Sequence, residues 1–562
     1  MNSKLLKFSL CLLLSILVIN PSNACSDILV TKGASKDGSV MLTYAADSHT
    51  LYGEVYYKAA SVYPIGAMLD IYEWDTGKLL GKIPQVRYTY QTVGNMNEHQ
   101  VIITESTFGG RSELQDTTGV IDYGSLIYVT LQRAKTAREA IKIMADLTSK
   151  YGYYSSGESF SVGDKDEVWY MELIGKGMKM VDGKNVNKGM VWVATRIPDG
   201  YISAHANQAR ITKINFKDKK NWMYSKDVVS FAREMGYFEG EDEDFSFSDA
   251  YAPLDFGALR YCEARVWSVF NTLGGGMIGD KKAEEYLPYA MGDVTAERMP
   301  LFIKPAEKLS MKQVADMMRD SYEGTPMDMT QDVGAGMHGT PRRLMGLTWE
   351  YDGKTYFNER PLATMQTGWW ILAQARNWLP KELAGVLWFG VDDAATSPLT
   401  PLYANTQEIP TCLKEGNGSM IEYSPTSLFW LNNRVANFAY LYYDLVSSEI
   451  RKAIDSHELS CLEEMKELES RAQKAENKKE VISMITDYTV DNTQDLFDTW
   501  VGLDILLLTK YVDGNVKKQN ADGSLMNNGF APNQPAFPSR PGYSKQWKQS
   551  VAEQTGDRYL LK

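Results

Sequence analysis

Apolar and polar residues alternate through Cys25-Ser26-Asp27-Ile28-Leu29-Val30 and again through Val40-Met41-Leu42-Thr43-Tyr44-Ala45-Ala46-Asp47. Between them lies "GASKDGS", a run of turn-forming residues. A period of two on either side of turn chemistry predicts a β-hairpin. Two more turn-separated strand pairs are predicted before Gly94, and "HQVIITES" (99–106) predicts a strand that ends in a polar cluster. The period then lengthens. Thr136 and Glu139 form a capping box, Ile141, Met144, Ala145 and Leu147 make one apolar stripe, and Gly152 closes a helix predicted over 136–150.

Strands resume in "FSVGD", "EVWYMELIG", "GMVWVATRIP" and "YISAHAN" (160–207). Residues 225–237 and 310–321 carry helical spacing, and "WEYDGKTYF" (349–357) reads as a hairpin within a mixed region, 330–404. Beyond residue 425 the pattern is helical, in 427–454, in a Glu/Lys-rich stretch at 461–481 and in 485–512. The Pro-, Gly- and Asn-rich remainder reads as an irregular surface tail. These runs predict an α+β protein, a sheet core covered by helices with a helical extension. The expected division is 1–24, 25–424, 425–515 and 516–562.

The first 24 residues read as an export signal. Lys4 and Lys7 precede an apolar run from Phe8 to Ile19, and Ser22-Asn23-Ala24 fits small-x-small cleavage. That run is short for a membrane span of about 20 residues, so the mature chain is expected in the periplasm or outside the cell without a membrane anchor. Losing two lysines and no acid takes the formal charge from −12 to −14. Such an acidic chain is a poor partner for nucleic acid or anionic lipid. A homo-oligomer is compatible with the sequence, which does not fix the number of copies.

After cleavage the cysteines are Cys25, Cys262, Cys412 and Cys461, an even number that permits disulfides. Cys25 has three readings. It is a buried or disulfide cysteine, a lipid-modified cysteine, or a nucleophile. Lipidation calls for a large apolar residue three places before it, where Ser22 stands. Cleavage after Ala24 would instead leave Cys25 with a free α-amine, which titrates near about 7.7–8.0 and can take the thiol proton.

"ACSDILVTKGASKDGSVMLTYAADSH", "MNEHQVIITEST", "GESFSVGDKDEVWYMELIG", "WVATRIPDGYISAHANQARI", "YEGTPMDMT" and "LWFGVDDAATSPLTPLY" together resemble the peptidase family C69 dipeptidases. These are cysteine N-terminal nucleophile (Ntn) hydrolases related to penicillin V acylase and bile-salt hydrolase. The resemblance runs from Cys25 to the 440s and implies a four-layer αββα sandwich, no cofactor, and a dipeptide or short peptide as substrate. By position it makes Cys25 the nucleophile, Asp47 the carboxylate near the terminal amine and Asn207 an oxyanion donor. Tyr44 departs from the pattern, standing where relatives often carry an arginine; it becomes a candidate substrate contact, and the positive charge has to come from elsewhere unless the amine suffices.

Arg210, three residues after Asn207, is a candidate to orient the site, its alternative being an ion pair. Glu105, at a strand end, is a candidate to hold a substrate ammonium, its alternative being a pair with a core cation, because a buried charge needs a partner. His205 reads better as structural. His457 and Cys461 make half a metal motif without its second histidine, "EGEDEDFSFSD" (239–249) reads as a solvated loop, and "DGNVKKQNADGS" lacks a calcium loop's glutamate. No metal site is expected. The sequence predicts a dipeptidase; an N-acyl amide hydrolase and a non-catalytic, disulfide-bonded exported binding protein are the alternatives.

Overall fold

The hairpin at the start of the chain forms as the alternation requires, with β1 (Asp27–Val30) and β2 (Val40–Asp47) paired Leu29 to Leu42. The computed structural model describes residues 25–344, 346–526 and 538–562, so the segment expected to direct export lies outside the described residues. The main strands that follow are β3 (Ile102–Gly109), β4 (Gly157–Gly163), β5 (Val168–Gly175), β6 (Met190–Arg196) and β7 (Ile202–His205). Later come β8 (Thr367–Ala375), β9 (Gly385–Val391) and β10 (Thr400–Tyr403). One antiparallel sheet runs β7-β1-β2-β8-β9-β10 and the other contains β6-β5-β4-β3. Among the described residues helix makes up 35% and strand 23%, in keeping with the α+β expectation.

Side chains leave opposite faces of a strand in turn, and here they sort into separate cores. Leu29, Leu42 and Tyr44 of the first sheet join Ile102, Val168 and Tyr170 of the second. The approach is close: a Cβ on Gly163 of β4 would lie 2.9 Å from Leu42 Cδ1. The intervening residues Ile28, Val30 and Met41 face a core that includes α3 (Ala264–Leu273) and α4 (Met311–Met317). On the second sheet, Ile103, Phe160 and Trp169 pack with α1 (Tyr123–Leu131) and α2 (Ala137–Tyr151). Each large apolar side chain buried this way contributes about 1.5–3 kcal/mol. A one-residue register slip would exchange the faces, so register is strongly fixed.

Helices α5 (Leu428–Leu441), α6 (Tyr443–Ala472) and α7 (Lys478–Lys510) follow, and α6 and α7 cover β10, the last strand of its sheet. Asn492 donates to Thr400, Tyr403 donates to Glu469, and buried Glu458 accepts from the Leu399 N–H while pairing with Arg319. An edge strand that could template aggregation is thereby closed. The continuous helical pattern over 427–454 is broken at Tyr442, whose φ of −137° and ψ of 46° leave the helical region. The tail expected to be irregular contains an eleven-residue helix, α8 (Lys545–Thr555), capped by Ser544. Among the described residues no helix is long and apolar enough to cross a membrane.

Candidate active site

Cys25 stands just before β1, where a bridge between Ser26 and Ala45 fixes it against β2. It is 2% exposed. Its Sγ lies 3.7 Å from the Tyr44 hydroxyl and 3.6 Å from Glu105 Oε1, and that hydroxyl donates to the same Oε1 at 2.6 Å. Tyr44 comes from β2 and Glu105 from β3, so the two sheets meet at the thiol. Antiparallel register sets Thr107 opposite Glu158, with Glu105 two residues along on the same face. Thr107 donates to Glu158 at 2.8 Å, and the Glu105 and Glu158 carboxyl groups lie close enough to influence each other. Two buried acids this close disfavour each other's ionisation. Burial raises Glu105 to about 7 and, with Glu105 beside it, raises Glu158 well above the carboxylate range.

Asp47, at the far end of β2, is fully buried; Thr367 donates to it at 2.6 Å and Arg360 pairs with it at 2.9 Å. Burial outweighs the arginine and lifts its pKa to about 6. Asn207 follows β7 at a φ of +60°, a conformation asparagine tolerates better than most residues. Its backbone N–H donates to Ser106, its amide donates to Thr107 O at 2.7 Å, and its Oδ1 accepts from Arg265 at 2.9 Å. Arg265, from α3, also donates to the Cys25 carbonyl and to Ser26 Oγ, both at 2.7 Å. One guanidinium thus ties the asparagine to the cysteine backbone.

Arg210 is placed elsewhere. It pairs with Glu263 at 2.9 Å and donates to the carbonyls of Ala204, Pro300 and Leu301, while its own N–H is held by Glu172. This buried ion pair locks the segment after Asn207 in place. His205 bridges Ser106 and Ser161 through its two ring nitrogens and stacks on Tyr170, and burial keeps it neutral. His457 makes its contact within α6, with Cys461 one turn on. Cys25, Cys262, Cys412 and Cys461 are all free thiols.

Burial raises the Cys25 thiol well above its usual range, and the carboxylates of Glu105, Asp47 and Asp27 push it further. A hydrogen bond at the Asp47 backbone pulls the other way. A thiol held in its protonated form in this way is a weak nucleophile. Beside it opens a cavity of about 540 Å³ lined by Asn207, Thr107 and Cys262. Its charged lining is Glu73, Asp75 and Glu158 with Arg111, Arg265 and Arg360. Glu158, Arg265 and Arg360 are the residues that sequence reasoning missed. The strand pattern around Glu158 could have flagged it; nothing local marks the two arginines. They bring positive charge to a site where position 44 carries none.

The raised carboxyl groups make stability depend on pH. A carboxyl whose folded pKa lies above its unfolded value of about 4 holds its proton more tightly when folded. Its contribution is complete below pH 4 and is lost as pH rises through 6 to 7, the folded values of Asp47 and Glu105. Buried Glu172 and half-buried Asp320, both raised to about 7, act in the same direction. The melting temperature is expected to be higher at pH 5 than at pH 8, with a smaller difference in Glu105→Gln. A protein more stable at pH 8 would contradict these protonation states.

The chain belongs to peptidase family C69, whose sequence model matches residues 24–456. It is 24% identical over 442 residues to a "Probable dipeptidase" of Latilactobacillus sakei, covering 75% of this chain and 82% of that one. It is 24% identical over 421 residues to "Dipeptidase A" of Lactobacillus helveticus, covering 74% and 77% respectively. A "Probable dipeptidase" of Salmonella dublin is 24% identical over 327 residues, 54% of this chain and 68% of the relative.

Proposed function

We propose that this protein is an exported dipeptidase in which signal cleavage after Ala24 makes Cys25 an N-terminal nucleophile. The observation that carries the reading is the placement of Cys25, a buried thiol at the start of β1 beside a cavity lined by both signs of charge. A free dipeptide carries an ammonium and a carboxylate close together, and acids and arginines lining one cavity suit both. The three cores, one between the sheets and one on each outer face, support the four-layer αββα arrangement of Ntn hydrolases.

In this mechanism the neutral α-amine of Cys25 takes the thiol proton, and the thiolate adds to the peptide carbonyl. Asn207 and backbone N–H groups hold the developing oxyanion. The ammonium then returns its proton to the leaving amine, which departs as the C–N bond breaks and the acyl-thioester remains. Water, deprotonated by the same amine, adds to the thioester and releases the acid and the thiol. Removing one oxyanion donor costs roughly 10²–10³ in rate. Asn207→Gly, which accepts the positive φ, is expected to lower kcat by that factor; a variant with kcat within about threefold of wild type would remove Asn207 from this role.

The charged cavity favours zwitterionic peptides over N-acyl amides with apolar acyl groups, and the four free thiols favour an enzyme over a disulfide-bonded binding protein. The test is hydrolysis by the exported protein of free dipeptides set against penicillin V and a conjugated bile salt. Faster turnover of either amide than of every dipeptide would reverse the assignment.

A further inference from the structure

A second cavity, of about 340 Å³, shares Asp75 as a wall with the first. It is one aromatic ring away from the nucleophile: Tyr44, whose hydroxyl touches the thiol, meets Trp369 edge-on at 5.0 Å, and Trp369 lines the cavity. Trp369 stacks on Phe389 at 5.9 Å. The opposite rings form a cluster, with Tyr128 4.5 Å from Trp74 and 4.3 Å from Tyr56. Aromatic faces attract cations, more strongly where water is excluded.

The polar lining has the same preference. Glu54, Asp75 and Glu415 line the cavity, and among the described residues no lysine or arginine does. Nor does any described lysine or arginine form an ion pair with Glu54 or Glu415. Lys58 lies 5.3 Å from the Tyr56 ring but is not part of the wall. Asn95, 1% exposed, also lines the cavity. Its Nδ2 donates to Ile103 O at 2.8 Å, which fixes the orientation of the amide, and its Oδ1 has no hydrogen-bond partner among the described residues. A buried acceptor left unmatched is unfavourable, and a ligand N–H would satisfy it.

We propose that this cavity is a side-chain subsite for a basic residue, arginine or lysine, of the peptide cleaved at Cys25. An ammonium alone needs little more than the roughly 10–15 Å³ of one water. A long basic side chain uses the space: its stem lies between the rings and its N–H groups reach Asn95 and the carboxylates. The inference rests on the dipeptidase reading, yet binding tests it apart from turnover. Full-length Cys25→Ala protein is titrated with arginyl-alanine and alanyl-arginine and with their citrulline counterparts, which keep the shape and lose the charge. In one of the two orders the arginine peptide is expected to bind at least about tenfold more tightly. Glu54→Gln combined with Glu415→Gln keeps the acceptor that Gly416 N–H uses; it is expected to bring the ratio to within about twofold. Equal binding of arginine and citrulline peptides, or a preference that survives the double substitution, overturns the subsite. Wild-type protein that cleaves no dipeptide overturns the dipeptidase reading and leaves the binding ratio readable.

Discussion

Cys25→Ala is expected to lower kcat/KM for dipeptides by on the order of 10⁴-fold or more, the scale seen when a covalent nucleophile is removed. Arg360, which lines the cavity, can polarise a substrate, but it does not replace the thioester route. The fold should survive. The side chain removed is small, and the backbone of residue 25 stays anchored by Arg265 through its carbonyl. A melting temperature within a few degrees of wild type, measured beside the rate, separates loss of chemistry from loss of structure. Activity within tenfold of wild type would end the nucleophile assignment.

The second large effect concerns the amine. A protein that keeps one extra residue before Cys25 has an amide where the mechanism requires a base. An amide nitrogen does not accept the thiol proton, and the thiol is already held protonated by burial and by Glu105, Asp47 and Asp27. The expected loss in kcat is about 10²–10⁴-fold, the usual worth of a general base. N-terminal sequencing and intact mass confirm which form is assayed. Full activity with Ala24 or a methionine retained would show that another group accepts the proton.

Much of the fold can be read from residue pattern because burial sorts it so regularly. In β1 and β2 successive residues enter different cores, so alternation survives in the sequence. Helix α2 matches its predicted span to within a residue at each end because Thr136 caps it and Gly152 ends it. Helix α1 escapes the same reading: every residue from 123 to 131 except Ser125 is buried, so "YGSLIYVTL" has no polar face to set the period. The helical spacing at 225–237 yields only Ser230–Glu234, since Val229 offers no side-chain cap and Gly236 takes a φ of +72°.

The site divides in the same way. Cys25, Tyr44, Asp47, Glu105 and Asn207 sit in or beside strands, where a motif and its register stay local. Arg265 lies in a helix and Arg360 in a loop, and each reaches the site only through tertiary folding. An arginine in "EARVW" or "NERPL" looks like any solvated charge until the chain brings it to a carbonyl or a carboxylate.

The seating of Cys25 also bears on timing. A processing protease must draw several extended residues into its own cleft. Strand β1 is hydrogen-bonded on both sides, to β7 and to β2, and the carbonyl of residue 25 is already held by Arg265. Freeing such a central strand costs a large part of the global stability. On the proposed reading, the cut before Cys25 must therefore come first and folding second. A molecule that folds early is trapped as an inactive precursor, and the active yield depends on which of the two events wins the race.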